Sequence, residues 1–126
     1  MDKLIIRCPD DWHCHLRDGS YVSRTAVDQA RQFKRSIIMP NLQPPVTTVV
    51  EASAYRQYIL DALPDGADFE PLMTLYLTPQ MDMQQLLKAK QAGFIKAVKL
   101  YPKGATTHSD QGVSSLKAMY PCFQWM

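Results

Sequence analysis

The feature that most limits the fold open to this chain is a fourfold alternation of short β-rich apolar runs with helical segments. A strand over residues 4–12 opens it, with Leu4, Ile5 and Ile6 ahead of Pro9, and a helix over 23–33 follows. The second strand, 36–39, runs Ser-Ile-Ile-Met and is stopped by Pro40-Asn41. Thr48-Val49-Val50-Glu51 is a capping box, in which a hydroxyl and a carboxylate three residues apart satisfy each other's backbone N–H groups, so a helix starts there. Val50, Tyr55, Ile59 and Leu63 lie roughly on one face of it, and Pro64-Asp65-Gly66 ends it. The third strand covers 69–77. Thr78-Pro79 reads as an N-cap followed by a first-turn proline, and Gly93 closes that helix. The fourth strand covers 94–100, a polar loop reaches Gly112, and Ser114 caps a last helix that carries Pro121 inside it.

Strands and helices alternating through short connections make a parallel sheet with right-handed crossovers, and such a sheet needs both faces covered. Two α/β architectures meet that need: an open doubly wound sheet and a (β/α)8 barrel. No G-x-G-x-x-G follows the first strand, which argues against a dinucleotide-binding sheet. A barrel takes roughly 250 residues, so the four units in these 126 residues amount to half of one. Apolar residues at 46% and charged residues at 21% suit an ordinary globular chain. The net charge of +2 is too small to imply nucleic acid or an anionic membrane as partner. No run of about 18 apolar residues exists to cross a bilayer. The three cysteines form no C-x-x-C and read as reduced, structural thiols. The N-terminus lacks a secretory h-region, which makes a cytoplasmic location the expectation.

The chemistry-bearing residues sit where strands end. His13 and His15 flank Cys14 at the end of strand one. Side chains alternate along a strand, so the two imidazoles point one way while Trp12 and Cys14 point the other. Two imidazoles on one wall can chelate a metal, zinc being a natural choice, although two histidines near a strand end have the same spacing without any metal. Arg17 offers a rigid fork for a substrate carboxylate, or is a surface arginine. Asn41 places an amide at the end of strand two, or is a turn residue. Lys99 lies among apolar neighbours in Ala97-Val98-Lys99-Leu100. Facing inward, a charged and unpaired lysine is costly, and conversion of its amine to a carbamate by carbon dioxide gives an anion able to bridge two metals. Facing outward, it snorkels past a covering helix. Lys96 stands at odd spacing from it, so one of the two is the outward one, and the sequence does not say which.

Taken together, these segments resemble one family. Pro9-Asp10-Asp11-Trp12-His13-Cys14-His15-Leu16-Arg17-Asp18-Gly19 is similar to the first-strand signature of dihydroorotases. Met39-Pro40-Asn41-Leu42, Pro44-Pro45-Val46-Thr47-Thr48, Tyr55-Arg56-Gln57, Pro71-Leu72-Met73-Thr74 and Lys99-Leu100-Tyr101-Pro102 with Ala105-Thr106-Thr107 follow in the family's order and spacing. The resemblance is to the single-domain bacterial type. It implies that residues 1–126 are the N-terminal part of a metal-dependent amidohydrolase barrel domain. It implies further that His13 and His15 ligate one zinc, that Lys99 is carboxylated and bridges two, and that Arg17 and Asn41 hold the substrate carboxylate, helped by His15 and by backbone near Leu16. Cys14 stands where the family often has an apolar residue and reads as packing. His108 reads as a surface residue of a polar loop.

The implied reaction is the reversible cyclisation of N-carbamoyl-L-aspartate to L-dihydroorotate with loss of water, a step of pyrimidine synthesis. In the family the remaining zinc histidines come from strands five and six and a proton-shuttling aspartate from strand eight. The expectation is therefore a truncated chain, inactive alone, from a two-zinc full-length parent for which homodimerisation is left open. Two other readings stand beside it: a hydantoinase-like or allantoinase-like cyclic amidohydrolase, and a non-catalytic half-barrel. Arg17 with Asn41, suited to a free carboxylate, weighs against the former.

Overall fold

A computed structural model describes residues 2–126. Four strands, β1 (Asp10–Cys14), β2 (Arg35–Ile38), β3 (Glu70–Tyr76) and β4 (Ile95–Lys99), alternate with helices α1 (Val22–Ala30), α2 (Val49–Asp61) and α3 (Met83–Ala92). A short 3-10 turn and a single helical turn, α4 (Tyr120–Phe123), follow β4. All strand pairs are parallel and the sheet order is β1-β2-β3-β4. An open doubly wound sheet reverses its strand order part-way. Strictly sequential order, with every crossover carrying the chain one strand further, is the pattern of a barrel wall. These are four βα units, half of a (β/α)8 barrel.

The core lies between sheet and helices. Cys14, Ile38, Met73, Leu75 and Ile95 from the strands pack with Val22, Ala26, Ala52, Tyr55, Ile59, Leu86 and Ala89 from the helices, all buried. Alternation places Leu72, Thr74 and Tyr76 on the opposite, inward face. Thr48 caps α2 through its side chain and Glu51 reaches back to complete the capping box. Gly93 closes α3 in the left-handed conformation at φ 76°, which only glycine adopts without strain.

Several elements differ from the sequence reading, each for a physical reason. Leu4, Ile5 and Ile6 lie outside any strand and are exposed, and the first strand begins only at Asp10. Pro9 removes a ladder donor just before it. Val50 stands in the first turn of α2 at 78% exposure and faces solvent, while Ala52, Tyr55 and Ile59 bury that helix. Asp82, not Thr78, caps α3 by accepting the Gln85 N–H. Thr78 is buried at the end of β3 and its carbonyl accepts from Met81 in a tight turn. Pro121 falls in the first turn of α4, where its missing N–H costs nothing, and that helix is only four residues long. No helix among the described residues is long and apolar enough to cross a membrane.

Ile59 and Val50 test this packing within one helix. Ile59→Ala is expected to destabilise the chain by about 2–5 kcal/mol, because it opens a fully buried site. Val50→Ala is expected to stay within about 0.5 kcal/mol of the parent. Urea denaturation followed by circular dichroism measures both.

Candidate active site

The C-terminal ends of the parallel strands form one rim, the end at which barrel enzymes carry their active sites. His13 reaches it through an irregularity in β1. Asp11 is paired with Ser36 and Cys14 with Ile38, so three steps along β1 match two along β2. This is a β-bulge, which re-aims the side chains around it. Asp11 and Cys14 consequently both face the helices: the Asp11 carboxylate accepts from Gln29 of α1 at 2.7 Å and Cys14 is buried in the core. His13 turns to the other side and meets His15, with 3.2 Å between the two Nε2 atoms. Trp12 does not accompany Cys14, as simple alternation implied. It is exposed and lies against the Arg35 guanidinium, 5.5 Å from the ring centroid.

Two nitrogens bound tetrahedrally to one zinc, each at about 2.0–2.1 Å, are about 3.3 Å apart. The His13–His15 separation therefore fits a shared cation. Burial above all, then the charges of Lys99, Arg17 and His13, holds His15 below the usual imidazole range. That favours the neutral form, the form that ligates a metal.

Lys99 lies inward. It is opposite Tyr76 in the register with β3, whereas Lys96, at the irregularity in that pairing, is exposed. The Lys99 Nζ is buried without a hydrogen-bond partner and stands 4.8 Å from the centre of the Tyr101 ring. Asn41 Oδ1 and Thr74 Oγ1 are the other buried side-chain polar atoms left unpaired among the described residues. A buried polar atom without a partner costs about 1–3 kcal/mol. Here the three orphans lie on the inward face or at the rim, none of them in the helix-covered core. The orphaned Lys99 amine beside two converging imidazoles fits a metal site better than it fits a packed interior.

The rim encloses an open cleft of about 650 Å3 lined by His15, Arg17, Asn41, Tyr101, Thr107 and His108, among others. Arg17 adopts the left-handed conformation at φ 67°, costly for a residue with a side chain. The segment around it is pinned from behind. The Tyr55 hydroxyl donates to the Arg17 carbonyl, the Tyr58 hydroxyl to the Gly19 carbonyl at 2.8 Å, and Thr25 to the Leu16 carbonyl at 2.7 Å. Burial pushes the Tyr55 phenol well above its usual range, so it stays a donor. Leu16 is drawn into the core at 2% exposure and contributes no side chain to the cleft.

Sequence reasoning missed Tyr55 as a support of Arg17, because helical periodicity reports burial and is silent about a hydroxyl at the buried end. It also put His108 simply at the surface. His108 is exposed, but it lines the cleft, and its Nδ1 pairs with the Gln43 side-chain amide at 2.5 Å. The available signal was its position in the loop after β4, since loops at that end of a barrel line the site.

A half-barrel with paired imidazoles, an inward lysine and an open cleft at its C-terminal rim is the arrangement of a hydrolase barrel. The chain belongs to the amidohydrolase family, whose model matches residues 4–120. It is similar to the dihydroorotase of Cupriavidus necator, with 57% identity over 124 residues, 98% of this chain and 36% of that protein. The Coxiella burnetii dihydroorotase is 56% identical over 126 residues, 100% of this chain and 36% of that protein. Among solved structures, the dihydroorotase of Campylobacter jejuni superposes with a TM-score of 0.85 at 41% identity, covering 94% of this chain and 34% of that one. The Saccharomyces cerevisiae dihydroorotase, solved in complex with 5-fluoroorotic acid, gives 0.85 at 31% identity, covering 94% and 32%. This chain thus spans about a third of the length of the curated relatives it matches.

The position of Cys14 between two imidazoles yields a prediction. Burial first, then the Asp11 charge, pushes its thiol up to about 12. At pH 8 only about one molecule in ten thousand then carries the thiolate, the reactive form. Thiol-reactive dye added to the native chain at pH 8 is expected to label exposed Cys8 rapidly and leave buried Cys14 and Cys122 unlabelled. Rapid labelling of Cys14, located by peptide mass mapping, is the contrary result.

Proposed function

We propose that this chain is the part of a dihydroorotase that carries one zinc pair of histidines, the bridging lysine and the substrate-carboxylate clamp. The observation that carries the reading is the meeting at one rim of the His13–His15 pair, the unpartnered Lys99 amine and the Arg17–Asn41 cleft. The substrates are L-dihydroorotate and N-carbamoyl-L-aspartate, interconverted by closing or opening a cyclic amide. The yeast relative's complex with 5-fluoroorotic acid, a ring bearing a carboxylate, supports a ligand of that shape.

Each residue has a distinct task. His13 and His15 ligate through Nε2. The Lys99 amine adds carbon dioxide and releases a proton, which turns an orphaned buried donor into an anionic ligand. Zinc held there supplies Lewis-acid polarisation of the amide carbonyl and a water of lowered pKa. The Arg17 guanidinium and the Asn41 amide grip the substrate carboxylate and fix the ring against the metal ligands, so orientation supplies much of the rate. The left-handed Arg17 backbone, pinned by Tyr55, keeps that clamp in place before substrate arrives. A free carboxylate on the substrate is also what separates this reading from a hydantoinase-like or allantoinase-like one.

Metal analysis alongside kinetics on the full-length protein tests these roles. Lys99→Ala is expected to abolish turnover and to lose most of its zinc. Arg17→Ala is expected to keep its zinc and to lose about 1.5–3 kcal/mol of transition-state stabilisation, roughly ten- to a hundredfold in kcat/KM. A folded Arg17→Ala protein without zinc, or a Lys99→Ala protein with full zinc and activity, overturns the assignment.

These 126 residues contain three histidines, two of which form the pair, and no described group of three or more His, Cys, Asp and Glu side chains is placed to hold an ion. The 126-residue chain alone is accordingly expected to show no dihydroorotase turnover above a His13→Ala control, measured by the absorbance of dihydroorotate.

A further inference from the structure

We propose that Asp11 is the positioning residue that aims His13 into the cleft. The proposal rests on reading His13 and His15 as metal ligands, and its starting point is the bulge in β1. Asp11 and Cys14 keep their pairing with β2, and the two residues between them share a single place opposite. A bulge leaves an N–H without its ladder acceptor. Here the Asp11 carboxylate takes that place: Oδ1 accepts the His13 backbone N–H at 2.9 Å. An aspartate that bonds the N–H two residues on closes a local turn in the backbone. Such a turn inside a strand rotates the next side chain to the other face. His13 thereby joins His15 on the inward side instead of following Asp11 toward α1.

The carboxylate is itself held. Its Oδ2 accepts from Gln29 Nε2 at 2.7 Å, and the same Gln29 amide donates to Ser36 Oγ at 2.9 Å. Ser36 is fully buried on β2, directly opposite Asp11. Helix α1 and strand β2 thus fix the carboxylate, the carboxylate fixes the bulge, and the bulge sets the direction of the imidazole. Asp11 is no ligand, because its Oδ1 is taken by the His13 backbone N–H and its Oδ2 by Gln29 on the helix side of the sheet. It acts on the metal only through the direction of His13.

The test is zinc affinity, measured by chelator competition on the full-length protein, with the visible absorption of the cobalt(II) form as a second readout. Asp11→Leu and Asp11→Ala differ in volume but share the missing acceptor. Both are expected to bind zinc at least about tenfold more weakly, in the range seen when an outer partner of a metal ligand is lost, and to show an altered cobalt spectrum at saturation. Asp11→Asn keeps an oxygen that accepts the His13 N–H and is expected to stay near the parent in both readouts. His13→Ala, expected to lose the ion, separates the two ideas. If His13→Ala keeps parental affinity, the ligand reading fails and the proposal falls with it. If His13→Ala loses zinc while folded Asp11→Leu or Asp11→Ala keeps parental affinity, the positioning role alone is refuted. Weak binding by Asp11→Asn equal to that of Asp11→Leu also refutes it, since charge and not the N–H bond is then the cause. Failure of both Leu and Ala variants to fold refutes it as well, by making the carboxylate a support of the whole fold.

Discussion

Parallel pairing in sequential order is the constraint from which the rest of this structure follows. Because every strand runs the same way, all four end at one rim, and residues as far apart in sequence as His13 and Lys99 need no loop to bring them together. The helices that return the chain bury one face of the sheet, where Leu75, Ile38 and Ile59 supply an apolar core. The other face is thereby released from the task of holding the fold. Polar and ionisable residues can stand there without disturbing the core that makes the strands form.

That division explains the distribution of unsatisfied polar atoms. Lys99 Nζ, Asn41 Oδ1 and Thr74 Oγ1 have no partner, whereas polar groups on the helix side, such as Ser36 and Asp11, are satisfied through Gln29. A fold tolerates such orphans where a ligand completes them and rarely elsewhere. The left-handed backbone of Arg17 follows the same logic: strain concentrated at the rim, held by two tyrosine hydroxyls and a threonine from the helices behind it.

Much of this was legible in the sequence, for identifiable reasons. Hydrophobic runs separated by capping signals gave the βα alternation, and the Thr48–Glu51 box and Gly93 each mark a boundary by local stereochemistry alone. Residues at strand ends could be named as site candidates because parallel topology fixes which end they share. What escaped the reading depended on non-local geometry. Leu4, Ile5 and Ile6 have strand propensity but no strand to pair with in this sheet. The bulge in β1 moves Trp12 away from the face shared by Asp11 and Cys14, and no periodicity within five residues reveals an inserted one. Tyr55 is visible as buried, yet its contact with Arg17 spans 38 positions. The cap of α3 moved from Thr78 to Asp82 because burial of Thr78 at the strand end removed it from competition.

Curvature is the remaining condition on the site. β1 and β4 are the outer strands of the sheet, separated by β2 and β3. With neighbouring strands about 4.8 Å apart, a flat four-stranded sheet holds its outer strands about 14 Å apart. Yet Tyr101, against whose ring the Lys99 amine lies at 4.8 Å, lines the same cleft as His15. Right-handed twist and barrel tilt bring the rim together so that side chains from both edges meet. The bulge contributes here as well, since an extra residue increases local twist at the edge that has to curl. The convergence of side chains at the rim and the curvature of the sheet are thus two descriptions of one requirement, and the bulge in β1 serves both.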